Sequence, residues 1–168
     1  GFNAIDYGQA HPITLMGTDI LMFIGGGSAG TAGGIKVTTA CVLLAAMAAE
    51  FSGRETTNIG HRSLPRSVTR QALALSFAGV MVVTLGVAAL RFFDTEFSGD
   101  QVSFEVLSAF ATVGLSTGIT ASLSAPSQIV LCLIMYLGRV GPTTLVAALA
   151  AKSVSRRYSY PEERPFLG

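Results

Sequence analysis

The sequence predicts an all-α membrane protein built on a helix, pore loop, helix plan, and three observations carry that prediction. Half of the 168 residues are apolar and only 12% are charged, with a mean hydropathy of +0.56, far from the composition of an ordinary soluble domain. The apolar residues gather into three long blocks with the charges between them. Those charges change sign from one connection to the next, as orientation across a bilayer demands. A net charge of +1, with basic residues in clusters and not along one stripe, speaks against a nucleic-acid partner. Membrane lipid is the expected surrounding.

The first block runs from Ile13 to Ala49. As one helix it would reach about 55 Å, nearly twice the ~30 Å hydrocarbon core. It must break, and "GGGSAGTAGGIK" at 25–36, with six glycines in its first ten positions, is where. The second block, Ala72 to Leu90, carries no charge and comes close to the ~20 residues a spanning helix needs; it predicts a helix over 72–92. The third, Ser127 to Ala151, is interrupted by Arg139 alone and predicts a helix over 126–151.

The loop 51–70 holds Arg54, His61, Arg62, Arg66 and Arg70 against Glu55, and the tail 152–168 holds Lys152, Arg156, Arg157 and Arg164. The positive-inside rule makes both cytoplasmic, C-terminus included. The connection carrying Asp94, Glu96, Asp100 and Glu105 then lies outside. Within it "FEVLSAFATV", 104–113, is apolar but too short to cross, which predicts a re-entrant pore helix over 104–112. "TVGLSTG", 112–118, follows as irregular backbone, tolerated at membrane depth only beside protein or a water-filled cavity.

The glycine-rich stretch imitates a phosphate loop. Gly25, Gly27 and Gly30 satisfy G-x-G-x-x-G, with Glu50 twenty residues further on. The context excludes it: "VTTACVLLAAMAAE" is Ala/Leu-rich with no turn to start a strand, no βαβ unit is present, and Lys36 stands between Ile35 and Val37, so G-K-[ST] is missing. No nucleophile, base or metal cluster converges elsewhere, so the expectation is a protein that is not an enzyme, with no catalytic residue and no bound cofactor. Cys41 and Cys132 each lie in apolar stretches and are expected to be buried thiols. His11 and His61 are expected to be exposed loop histidines. The opening "GFNAIDYG" has neither a basic n-region nor a cleavage pattern and reads as the start of a piece cut from a longer protein.

"TVGLS" resembles the potassium-filter pattern "TVGYG", in which consecutive carbonyls replace a cation's water shell and glycine permits the conformations that aim them. With "GFN" at the start, "MFIGGGSAGTAGGIKVTT" at 22–39, "FATVGLSTG" at 110–118, "YLGRVGPTTL" at 136–145 and "YPEERPFLG" at the end, the whole chain resembles the Trk/Ktr/HKT family of potassium transporters, most closely Ktr-type translocating subunits. The resemblance implies four pore repeats around one pore, of which this chain holds the end of the third, 1–50, and all of the fourth, 71–151. Gly1 and Gly114 are then filter glycines. Carbonyls of Thr112, Val113, Gly114 and Leu115 become ligands of a transported potassium ion, with side chains turned away, and no other metal is implied. A serine at either of the two filter positions beyond this chain would favour sodium.

The same resemblance makes 25–36 a gate below the filter, with Gly25, Gly26, Gly27, Ser28, Gly30, Thr31, Gly33, Gly34 and Lys36 as its residues. A static break needed only for packing is the alternative. Arg139 lies mid-helix, where an arginine costs roughly 2.5 to 3.5 kcal/mol; it must face protein or water, and the resemblance places it near the gate, while snorkelling or a structural pairing, for instance with Asp19, is the other reading. Lys36 either anchors the loop at the cytoplasmic side or pairs with an acid. Asp19 is either hydrated near the outer interface or part of a structural pair. Asn3 and Asp6 fall at the outer mouth, where a carboxylate concentrates cations; a plain solvated or capping acid is the alternative for Asp6. The implied assembly is a homodimer in the cell membrane carrying a cytoplasmic ring of nucleotide-binding regulatory subunits. A secondary transporter moving a small solute past a broken helix is the rival function.

Overall fold

A computed structural model describes residues 1–27, 33–53, 56–59 and 62–140. It is mostly helical: α1 (Pro12–Ile24), α2 (Val37–Phe51), α3 (Arg66–Phe93), α4 (Gly99–Phe110) and α5 (Ala125–Val140), with one-turn 3-10 helices at Tyr7–Gln9 and Thr120–Ser122. The 51–70 loop adds an antiparallel pair, β1 (Asn58–Ile59) and β2 (Arg62–Ser63).

The first apolar block is broken between α1 and α2, and Gly25 at φ 71° ends α1. Its start is set by His11, whose Nδ1 accepts from the Ile13 amide, and by Pro12 in the first turn, where a missing N–H costs nothing. His11 is exposed and outside the helix, as expected, and serves there as a cap, while His61 lies outside the described residues.

Helix α3 starts at Arg66, six residues before the expected Ala72, because the polar turn after Pro65 continues the helix beyond the apolar stretch. At 28 residues it is about 42 Å long, and it is long and apolar enough to cross a membrane. Its buried stripe is Ala72, Leu75, Gly79, Gly86 and Leu90. Small residues there let neighbours approach, the usual basis of helix packing where lipid removes the hydrophobic drive.

Helix α4 is corrected more. It runs over Gly99–Phe110, not 104–112, because Ser98 and Gln101 form a reciprocal capping box at its start. Twelve residues give about 18 Å, too short to span. It packs against α1, α3 and α5, and Val102, Phe104, Val106 and Phe110 are fully enclosed. Helix α5 begins at Ala125; the expected continuation to 151 and the tail 152–168 lie outside the described residues. Asp94 ties the end of α3 to the start of α5, accepting from the Ser124 amide and hydroxyl. Hydrogen bonds from Ser127 and Ser124 hold its carboxyl below the usual carboxylate range.

Two stretches share one plan. Tyr7–Gln9 and Thr120–Ser122 are the same turn 113 positions apart, and Pro12 and Ala125, the first residues of α1 and α5, are separated by the same interval. Extending that spacing pairs Gly1 with Gly114 and Gly25 with Gly138. Across 1–25 and 114–138 only those two pairs and Met22/Met135 are identical.

Candidate functional site

The stretch after α4 is shaped by two left-handed residues, Thr112 (φ 52°) and Gly114 (φ 84°). The α4 carboxyl end holds its beginning: Thr112 N–H donates to the Ala109 carbonyl at 3.2 Å and Val113 N–H to the Ser108 carbonyl at 3.0 Å. Val113 and Leu115 pack on the cluster of Leu15, Met22, Phe104, Leu107 and Ala111.

The two expected filter glycines meet although 113 positions separate them. A Cβ on Gly1 would stand 3.1 Å from the Gly114 carbonyl oxygen, and one on Gly114 would stand 3.3 Å from the Gly1 Cα. Following Gly1, Asn3 donates to the Ile5 carbonyl. Asp6 accepts from the Gly8 amide as the cap of the first 3-10 turn. Both are exposed, and Asp6 is a capping acid.

The neck of the glycine-rich loop sits against the end of α4. Gly33 N–H donates to both the Ala111 carbonyl and Thr112 Oγ1, each at 2.9 Å, so the Thr112 side chain is engaged by the loop. A Cβ on Gly33 would fall 2.8 Å from the Phe110 carbonyl oxygen. The two sides of the neck are joined by Ile35 N–H to the Phe23 carbonyl and Val37 N–H to the Gly26 carbonyl. Gly25 and Gly34 cross so closely that a Cβ on Gly25 would be 2.6 Å from the Gly33 oxygen. Ser28, Gly30 and Thr31 lie outside the described residues. Lys36, at φ 80°, stands at the start of α2.

On the other side of the stretch is a cavity of about 840 Å³ lined by Glu105, Thr112, Gly114, Gln128, Cys132 and Arg139, among others. Arg139 is thus brought into the same cavity as two expected filter residues. Cys132 is exposed there and Cys41 is exposed on α2; both were expected to be buried, but apolar neighbours in a membrane helix do not imply a protein-facing side. Asp19 is half-buried, with Ser103 Oγ 3.5 Å from one carboxyl oxygen and the other oxygen enclosed.

Three features escape residue-type reasoning. Glu105, counted with the outside acids, is buried at 5% exposure and accepts from Ser116, Thr117 and Thr120. Gly138 lies so close to α4 that a Cβ there would fall 1.9 Å from the Phe110 carbonyl oxygen. Phe110 itself is surrounded by Gly33, Gly79 and Gly138. A signal for Glu105 did exist: an acid inside an apolar run, with hydroxyl residues at 116, 117 and 120 to receive it.

The sequence model of the TrkH family, described as a cation transport protein, matches residues 1–158. The chain belongs to the TrkH family. Ktr system potassium uptake protein B of Bacillus subtilis is 39% identical over the whole chain, which covers 37% of that relative. Potassium/sodium uptake protein NtpJ of Enterococcus hirae is 38% identical over the whole chain, covering 38% of the relative. Ktr system potassium uptake protein B of Vibrio alginolyticus is 34% identical over the whole chain, covering 36% of it. The chain thus spans little more than a third of these relatives' length. Membership in a family described as a cation transport protein accords with α3, which is long and apolar enough to cross a membrane, and with the exposed apolar residues of α1, α2 and α5.

Proposed function

We propose that the chain is part of a potassium uptake protein, in which Gly1 and residues 112–115 line a carbonyl filter and the neck of the 25–36 loop gates it from below. The observation that carries this reading is the meeting of Gly1 with Gly114, two residues 113 positions apart that are followed by the same turn and the same helix. Equivalent backbone from successive repeats converging on one line is what a carbonyl-lined axis requires. The Gly33 amide bonded to Thr112 and Ala111 supports a gate that touches the filter's inner end, and Arg139 in the adjoining cavity supports a charge that ions pass.

The repeat also supports a ring of further units. Leu15, Asp19 and Met22 of α1 lie toward α4; their counterparts on α5 are Gln128, Cys132 and Met135, which line the open cavity. That face is where the pore helix of another repeat would lie. The family resemblance further suggests two copies of the full protein and a cytoplasmic nucleotide-binding ring, docked against the basic face that includes Arg62, Arg66 and Arg70.

The test is uptake by the full-length protein in a host lacking its own potassium uptake systems, with Gly114→Ser as the selectivity control. Potassium-dependent growth, with sodium admitted by the variant, is the expected result; a preference unchanged by the variant would overturn the filter assignment. The potassium/sodium name of one relative favours a second reading, a sodium-permeable member of the family, which sodium influx through the unmodified protein would establish. Flux that depends on an organic solute would point to the rival secondary transporter.

A further inference from the structure

Glu105 is a buried acid in a transport protein, with no assigned task. Its Oε1 accepts from Ser116 Oγ at 2.5 Å, Thr117 N–H at 2.9 Å and Thr117 Oγ1 at 3.2 Å, and its Oε2 accepts from Thr120 Oγ1 at 2.8 Å. Ser116 Oγ accepts in turn from the Gly118 amide. One carboxylate therefore gathers the backbone and hydroxyl groups of 116–120. A turn further along the same helix, the Ser108 and Ala109 carbonyls take the amides of Val113 and Thr112.

We infer that Glu105 is the positioning residue that fixes the length and register of the segment 112–115. Both flanks are bonded to adjacent turns of α4, with Gly114 and Leu115 left to bridge between them. A rigid helix sets the separation of its turns, so the spacing of the carbonyls in the bridge follows from that of the two grips. Filter selectivity depends on the number and geometry of such carbonyls, so loosening the outer grip changes which ion fits. The role belongs to the carboxylate's reach and acceptor positions and not to its charge as an attractor of cations. An aspartate is one methylene too short to meet 116–120. A glutamine keeps one acceptor oxygen for the Ser116 and Thr117 groups, and its amide donates to Thr120, whose hydroxyl can turn to accept.

The inference rests on the filter reading of 112–115, and the experiment separates the two. Full-length protein carrying Glu105→Ala, Glu105→Asp, Glu105→Gln, Thr120→Val or Gly114→Ser is assayed for the KM of potassium uptake and for potassium against sodium preference, with protein in the membrane measured alongside. Glu105→Ala and Glu105→Asp should raise the potassium KM about tenfold, the scale of one lost hydrogen bond, and blunt the preference, while Glu105→Gln stays near the parent. Glutamine as impaired as alanine, or alanine with parental KM and preference, would overturn the proposal. Should the alanine and aspartate variants fail to reach the membrane, Thr120→Val, which frees one carboxylate oxygen, must still shift the preference; an unchanged preference there overturns it as well. A shift with Gly114→Ser but none at Glu105 defeats this inference alone, whereas no shift in either defeats the filter reading.

Discussion

Residues 1–25 and 114–138 run through the same sequence of forms, a glycine, a 3-10 turn and a helix, and then part at a glycine. Gly25 has φ 71° and ends its helix. Gly138, its counterpart, stays inside α5 and lies under the Phe110 carbonyl. One residue type therefore answers two physical demands. At Gly25 the backbone needs a conformation an L side chain resists, which frees the chain to leave the helix as a loop. At Gly138 the backbone is ordinary and the space is missing, which brings α5 and α4 together at the end of α4. The repeated scaffold is alike, and the difference lies in what the glycine does: one ends its helix, the other lets two helices touch.

The largest expected effect comes from Gly138→Ala. A methyl 1.9 Å from a carbonyl oxygen cannot be absorbed by a side-chain rotation, because the obstacle is backbone. Helix α5 must move off α4, at a cost of about 3 kcal/mol, and the full-length protein should accumulate poorly in the membrane. Normal accumulation and uptake would mean that the close approach is not needed. Gly25→Ala tests the other glycine. Its strain is local, and it should disturb the loop neck and ion flux more than accumulation.

Gly33→Ala comes next. The added methyl would meet the Phe110 oxygen at 2.8 Å and the Ala111 carbonyl at 3.0 Å, but a loop can retreat where a helix cannot. The neck should lift from the end of α4 at a cost of about 1 kcal/mol, raising uptake several-fold at unchanged protein level. Reduced uptake in folded protein would count against the gate. Thr112→Val is a milder probe of the same contact, removing one of the two acceptors of the Gly33 amide and leaving the Ala111 carbonyl. About 0.5 to 1 kcal/mol is at stake, and a rise in uptake smaller than that of Gly33→Ala is expected.

How much of this is legible in the sequence depends on what each feature leaves in residue type. The break at 25–36 is legible because length argues for it: the apolar block is too long for the bilayer. The start of α4 is misplaced because apolar content marks Phe104, while the capping pair Ser98 and Gln101 sets the boundary. The repeat is nearly invisible, since its helices keep their places with few identical residues, and burial against different neighbours selects different side chains. Glu105 is misread because an acid in an outside connection usually meets water. Its partners arrive only when the chain doubles back from 116 to 120.

The two helix starts also differ, and the smallest prediction concerns that. Helix α1 starts from its own local cap, His11 with Pro12, whereas α5 is fastened to another helix through Asp94 and Ser124. Because the Asp94 carboxyl is held below its ordinary value by Ser127 and Ser124, it favours the folded form at pH above its unfolded value. That contribution is lost as pH falls through the lower folded value, where the carboxylate is protonated. The site is partly exposed, which screens the effect, so the expected loss is small. Asp94→Asn should remove it: the acid limb of a thermal-stability profile should flatten slightly for the variant, with little change at neutral pH. An acid limb identical in both proteins would show that α5 keeps its place without this tie, as α1 does.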